Sequence, residues 1–136
     1  MPVIDANVAL AWSIPSERTD AAIRLLAEPG DLLAPTLLIH EVTNAVWLMI
    51  RQGLISASDG DAIREDALAP MTFQYSDQAL AARALEIATE LGHPAYDAFY
   101  IALAEAADTE LVTADRRLVS KVERTRYVTR VRPLTV

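Results

Sequence analysis

The sequence predicts an α/β protein of three layers, a mostly parallel central sheet flanked by helices. Three observations carry that prediction. Short apolar runs, Val3-Ile4, Leu32 to Ala34, Met71 to Tyr75 and Leu111 to Thr113, alternate with longer segments of helical period. Turn residues, Pro29-Gly30, Gly53 and Gly92, fall where the intervening helices should stop. Acids close the first and fourth runs, Asp5 directly and Asp115 one residue on, where an open α/β sheet places its ligands.

Taken in order, Val3 and Ile4 begin a buried strand that stops at Asp5, and Asn7 offers an N-cap to a helix through Val8, Leu10 and Trp12. Pro15 interrupts, and Ser16, Glu17 and Asp20 open a second helix. After the second strand, Pro35-Thr36 opens a helix running to Gly53 through Leu38, Val42, Ala45 and Met49. Ser58 is the expected cap of a shorter helix whose acids, Asp59, Asp61, Glu65 and Asp66, read as an exposed face. Ser76-Asp77 caps a helix with Leu80, Ala84, Ile87 and Leu91 on one side and Gly92 at its end. Pro94 restarts the chain as a helix closing near Asp108. A short helix from Arg116 to about Lys121 follows the fourth strand, and a last strand is expected around Arg126 to Val131.

One domain, residues 1–136, is expected, a size that removes roughly two thirds of the unfolded chain's surface from water. No window is apolar enough for a membrane span, and MPVIDAN lacks the pattern of a signal peptide, so a soluble, cytoplasmic protein is expected. With no Cys and only His40 and His93, a Cys/His zinc site is all but excluded, and any metal would be held by oxygen. The net charge of −7 argues against nucleic acid, yet seven of the twelve basic residues lie in the last 21 positions beside one acid, Glu123. Such asymmetry marks either a polyanion-binding face or a solvated basic edge.

Two further acids stand out. Asp97 is the only formally charged residue between Leu91 and Ala104, in a segment otherwise fit for a buried helix. Glu41 has Leu37, Ala45 and Leu48 as its helical neighbours, a mainly apolar face. The strand-and-helix pattern brings Asp5, Glu41, Asp97 and Asp115 to one edge of the sheet, and converging carboxylates there suit a hard divalent cation. Each acid also has a plainer reading: Asp5 and Asp115 as caps, Glu41 paired with Arg51, Asp97 beside its helix dipole.

The pieces IDANVAL, LIHEVTNAV, YDAFYIALA and VTADRRL, in that order and over nearly the whole chain, resemble the PIN-domain family, and within it a VapC-type toxin ribonuclease. The resemblance implies a PIN-like fold and a Mg²⁺ or Mn²⁺ site formed by Asp5, Glu41, Asp97 and Asp115, with Asp5 and Asp97 foremost as ligands. Asn7 and Thr113 match supporting polar positions. It further implies metal-dependent hydrolysis of RNA phosphodiester bonds, a VapB-type antitoxin partner and a homodimer. Arg116 and Arg117, next to Asp115, are candidate RNA contacts. The apolar stretches Leu10 to Trp12 and Leu38 to Met49 read equally as core and as partner surface.

Rival readings are weaker. A phosphoryl-transfer receiver or aspartyl phosphatase should carry a second acid beside Asp5, where Ala6 and Asn7 stand instead. The four glycines make neither a GxGxxG nor a P-loop. The main alternative is a non-catalytic module whose acidic cluster captures a basic partner segment.

Overall fold

Val3 and Ile4 have no exposed surface, and the sheet is built outward from them. The computed structural model describes residues 1–135, leaving Val136 outside the described residues. In chain order the elements are β1 (Val3–Ile4), α1 (Ala6–Ser13), α2 (Thr19–Ala27), β2 (Leu32–Leu33), α3 (Leu37–Arg51), α4 (Ala57–Leu68) and β3 (Met71–Thr72). Then come α5 (Asp77–Leu91), α6 (Ala95–Ala106), β4 (Leu111–Thr113), α7 (Arg116–Val122), a 3-10 turn (Arg126–Arg130) and β5 (Val131–Pro133). The strands lie in the order β3-β2-β1-β4-β5, and every pairing is parallel. Val3 is in register with Leu33 on one side and Leu111 on the other.

Short strands buried on both faces explain the continuous apolar runs in the sequence. From β1 the chain steps through β2 to β3, then returns across the sheet to β4 and β5. Right-handed crossovers therefore put α1 to α4 on one face and α5 to α7 on the other. The packing agrees, with α1 against α2, α3 and α4, and α5 against α6. The reversal leaves a crevice at the carboxyl ends of β1 and β4, the topological switch point.

Helix α6 is buried on almost every side, with Ala98 and the run Tyr100 to Ala104 all enclosed. Its charged residues therefore sit at its ends. Glu105, at one end, is held bidentately by Arg83 of α5 at 2.8 and 3.0 Å, while Asp97 lies in the opening turn. Helix α3 is split along its length: Leu38, Val42 and Val46 are core, whereas Ile39, Trp47 and Leu48 are exposed. Among the described residues no helix is long and apolar enough to cross a membrane.

Several local expectations need correction. Asn7 lies inside α1, and the cap is Asp5, whose carboxylate accepts from the Val8 N–H at 3.0 Å. Ser56, not Ser58, caps α4. Helix α2 begins at Thr19, because the Thr19 hydroxyl draws residues 16 to 19 into a turn by accepting from the Ser16 N–H at 2.8 Å. The third strand is cut to Met71–Thr72. The last strand starts later than expected, at Val131. Thr125 accepts from the Tyr127 N–H at 3.1 Å and starts a turn, which seats the Tyr127 ring in the core with its hydroxyl on Arg83 and Glu90.

Gly92 closes α5 in the left-handed region, at φ +62, and the His93 N–H then reaches back to the Ala88 carbonyl at 3.1 Å. Any Cβ at that backbone angle is strained. Gly92→Ala should lower stability by about 1 kcal/mol, which for a chain of this size moves the thermal midpoint down by roughly 3–5 °C. An unchanged midpoint would show that the turn relaxes freely.

Candidate active site

Each of the four acids reaches the carboxyl edge of the sheet on a different element, and each is held by a specific donor. Asp5 ends β1. One oxygen caps α1, and the other accepts the Thr113 hydroxyl from the end of β4. Thr113 is 1% exposed, and its oxygen also accepts the Asp115 N–H at 3.0 Å. A single buried hydroxyl thus ties the two strand-end acids together.

Asp115 caps α7, with one oxygen accepting from the Arg117 and Leu118 N–H groups at 2.9 and 3.3 Å. Glu41 stands in the second turn of α3, whose first N–H, on Leu37, is held by Asp77 at 3.0 Å. The Tyr100 hydroxyl on α6 donates to Glu41. Asp97, one turn earlier on α6, meets His93 Nε2 at 2.6 Å.

These four carboxylates line one cleft of about 190 Å³, together with Asn7, Leu10 and Tyr100. Asn7, displaced from its expected capping role, is exposed at the wall of that cleft. Leu10 and Ala45 continue into an apolar groove of about 350 Å³ with Ile14, Leu48 and Met49. Arg51 lies over the Trp47 ring, so it is not the partner of Glu41. His40 is exposed, as expected, whereas His93 is largely enclosed against Asp97.

A family model of the PIN domain matches residues 3–124. The chain belongs to the PIN-domain family. It is 32% identical over 123 residues to Ribonuclease VapC3 of Pyrobaculum aerophilum, covering 88% of this chain and 92% of that protein. It is 34% identical over 118 residues to Ribonuclease VapC9 of Mycobacterium tuberculosis, covering 87% and 88%. Among solved structures, the crystal structure of PAE2754 from Pyrobaculum aerophilum superposes with a TM-score of 0.70 at 26% identity, over 97% of this chain and 82% of that one.

In this PIN domain the acids interact. Burial, and after it the nearby Asp97 and Glu41, push Asp5 from the ordinary aspartate range up to about 6, although bonds from Thr113 and Val8 oppose the shift. Glu41 is also raised, first by burial and then by Asp97 and Asp77, against the Tyr100 bond. Burial and the facing Glu41 raise the Tyr100 hydroxyl in turn, so it keeps its proton and remains a donor.

The donor set suits a hard divalent cation, since it is all oxygen and its charges crowd one another. The spacing is looser. Among the described residues, no three His, Cys, Asp or Glu side chains stand where they could hold a metal ion without moving. His93 engages one oxygen of Asp97, and α7 engages one oxygen of Asp115. The residues fit such an ion by chemistry, with rotation and water left to complete a shell.

The basic tail divides into two groups. Arg126 pairs with Glu90 at 2.8 Å, Arg130 with Asp108 at 3.1 Å and Arg132 with Glu110 at 3.9 Å, so these three already face an acid of the chain. The other four are exposed, Arg116 and Arg117 at the start of α7 and Lys121 and Arg124 about its end, and Arg116 shares a small hollow with Arg18 beside Thr113.

His93 and Tyr100 escaped the reading of the sequence. Both signals were there: His93 stands four residues before Asp97, in the turn that leads into its helix, and a buried tyrosine hydroxyl requires a partner.

A raised Asp5 has a direct consequence for stability. Its folded value lies above its unfolded value, so the native state favours the protonated form. The stability that this proton supplies is complete below about pH 4 and is lost as pH rises through about 6. Asn caps as well as Asp, so Asp5→Asn should keep α1 while removing the charge. In EDTA, its stability advantage over wild type should widen by about 1 kcal/mol between pH 5 and pH 7.5. A gap that stays constant across those pH values would place the repulsion elsewhere.

Proposed function

We propose that this protein is an endoribonuclease that hydrolyses RNA phosphodiester bonds with Mg²⁺ or Mn²⁺, and that it acts as the toxin of a toxin–antitoxin pair. The observation that carries this reading is the convergence of Asp5, Glu41, Asp97 and Asp115 on one open cleft at the switch point of the sheet. Membership in the PIN-domain family and likeness to VapC ribonucleases support it.

Asp5 and Asp97 are the foremost candidates to hold the ion, with Glu41 and Asp115 completing the negative charge. A bound divalent ion supplies Lewis acidity toward the phosphate and lowers the pKa of water. The protein's own part is positional. Thr113 and the Val8 N–H fix Asp5, and Tyr100 fixes Glu41. The proton that Asp5 retains up to about pH 6 has to leave before that oxygen can bind an ion, so affinity should fall on acidification.

Arg116, which shares its hollow with Arg18 and Glu17, and the neighbouring Arg117 are our candidates to meet phosphates next to the acids. The apolar groove of Leu10, Ile14, Leu48 and Met49 suits an apolar segment of an antitoxin, and the exposed Ile39 and Trp47 suit a homodimer. The alternative, a non-catalytic module that captures a basic segment in its acidic cluster, draws on the loose spacing of the carboxylates.

Cleavage assays separate the two readings. Purified protein should cut single-stranded RNA with Mg²⁺ or Mn²⁺ and lose that activity in EDTA. Asp97→Asn should lose at least about a hundredfold, the scale on which removing one preorganised charged group acts. Cleavage that continues undiminished in EDTA would sink the metal-dependent reading.

The arginines give a second test. If Arg116 and Arg117 contact phosphates, replacing each with Ala should reduce the slope of log affinity against log salt by roughly 0.7. Replacing Arg130, already paired with Asp108, should leave the slope alone. Equal slopes for wild type and the Arg116/Arg117 variant would remove these residues from the RNA path.

A further inference from the structure

The donors that orient the other three carboxylates belong to the frame of the sheet and its helices: Thr113 and a backbone N–H for Asp5, the buried Tyr100 for Glu41, two backbone N–H groups for Asp115. Asp97 has no such frame. Pro94 stands at the cap of α6 and offers no side-chain hydrogen bond, and the Asp97 side chain is 34% exposed. Its one side-chain partner among the described residues is His93, at 2.6 Å from Oδ2.

The backbone that carries the histidine is fixed on both sides. Gly92 turns the chain at φ +62, the His93 N–H is bonded to Ala88 at 3.1 Å, and Pro94 restricts the next step. The His93 side chain is 17% exposed. A carboxylate oxygen accepts, so this contact selects the form of the ring in which Nε2 carries the hydrogen and donates it.

We propose that His93 is a positioning residue. It fixes Oδ2 of Asp97, so that the other oxygen of this cleft-lining side chain is presented in one orientation to a divalent cation. The inference rests on the function proposed above and extends it to a residue outside the motifs of the acidic site. A carboxylate free to rotate loses orientational freedom when it binds an ion, whereas one already held loses less. Groups that orient metal ligands typically change affinity by roughly 10–100-fold when removed.

The plainer account is an i, i+4 pair that merely secures the turn between α5 and α6. Substitutions separate the two. His93→Phe keeps a ring without a donor, His93→Gln keeps an N–H near the position of Nε2, and His93→Asn is polar but too short to reach. Mn²⁺ binding to the full chain is measured by calorimetry in the absence of RNA, and single-stranded RNA cleavage is followed in parallel.

For a positioning role, Phe and Asn should each weaken Mn²⁺ binding by about tenfold. At saturating Mn²⁺ they should lower kcat while leaving KM for RNA unchanged, and Gln should restore both affinity and kcat to near wild type. Wild-type Mn²⁺ affinity in the Asn variant, or a Gln variant no better than Asn, would overturn the role even if the thermal midpoint falls. The Gln and Asn comparison stands by itself if Phe does not fold. A wild-type protein that neither binds Mn²⁺ nor cuts RNA would instead defeat the proposed function, and this inference with it.

Discussion

The hydroxyl of Thr113 is the smallest group on which the acidic edge depends. It donates to Asp5 and accepts from the Asp115 N–H, and it does so from a buried position on the central pair of strands. Strands β1 and β4 are adjacent and parallel, so the residues following them diverge into α1 and α7, each of which needs a cap. Asp5 and Asp115 meet that need. In each, one oxygen satisfies helix N–H groups that would otherwise lack partners, and the negative charge also suits the positive end of the helix. The plain reading of these residues as caps and the functional reading as site acids are therefore both compatible with one geometry.

Crowding is the opposing force. Burial is the largest cause of the raised proton affinity of Asp5 and Glu41, and the negative charge of Asp97 adds to it at both. Charge repulsion of this kind persists only when the surrounding structure over-determines it. Here the determinants are identifiable. Helix α6 is packed on nearly all sides, α3 is anchored at its first N–H by Asp77, and Tyr100 connects the two helices through Glu41.

The charges outside the cleft follow a different logic. Arg83 holds Glu105 and touches the Tyr127 hydroxyl, while Arg126 stacks over the Tyr127 ring and pairs with Glu90. This network fastens the C-terminal turn to α5 and α6, far along α6 from Asp97. It also absorbs part of the basic excess that the last 21 residues display in the sequence; of the arginines left exposed, Arg116 and Arg117 stand beside Asp115 and Arg124 lies beyond the end of α7.

The order of strands and helices, the parallel sheet and the four acids at its edge were legible in the chain, because apolar period and turn residues are local signals. Single-residue capping was less so. Asp5 displaced Asn7, and Ser56 displaced Ser58, since neighbouring polar residues compete for one N-cap and the backbone angle decides among them. The last strand was misplaced because Arg126 to Val131 has a strand-like composition, while the burial of Tyr127 and its contacts with α5 favour a turn. The spacing of His93 and Asp97 is a local signal of their contact, but only the tertiary structure joined Tyr100 to Glu41 and Thr113 to Asp5. The last two pairs are 59 and 108 residues apart, so no local signal links them. The sequence determined which groups the edge of the sheet would carry. Their orientation, and the protons they hold, depended on burial and on donors brought from distant elements, which no stretch of the chain contains by itself.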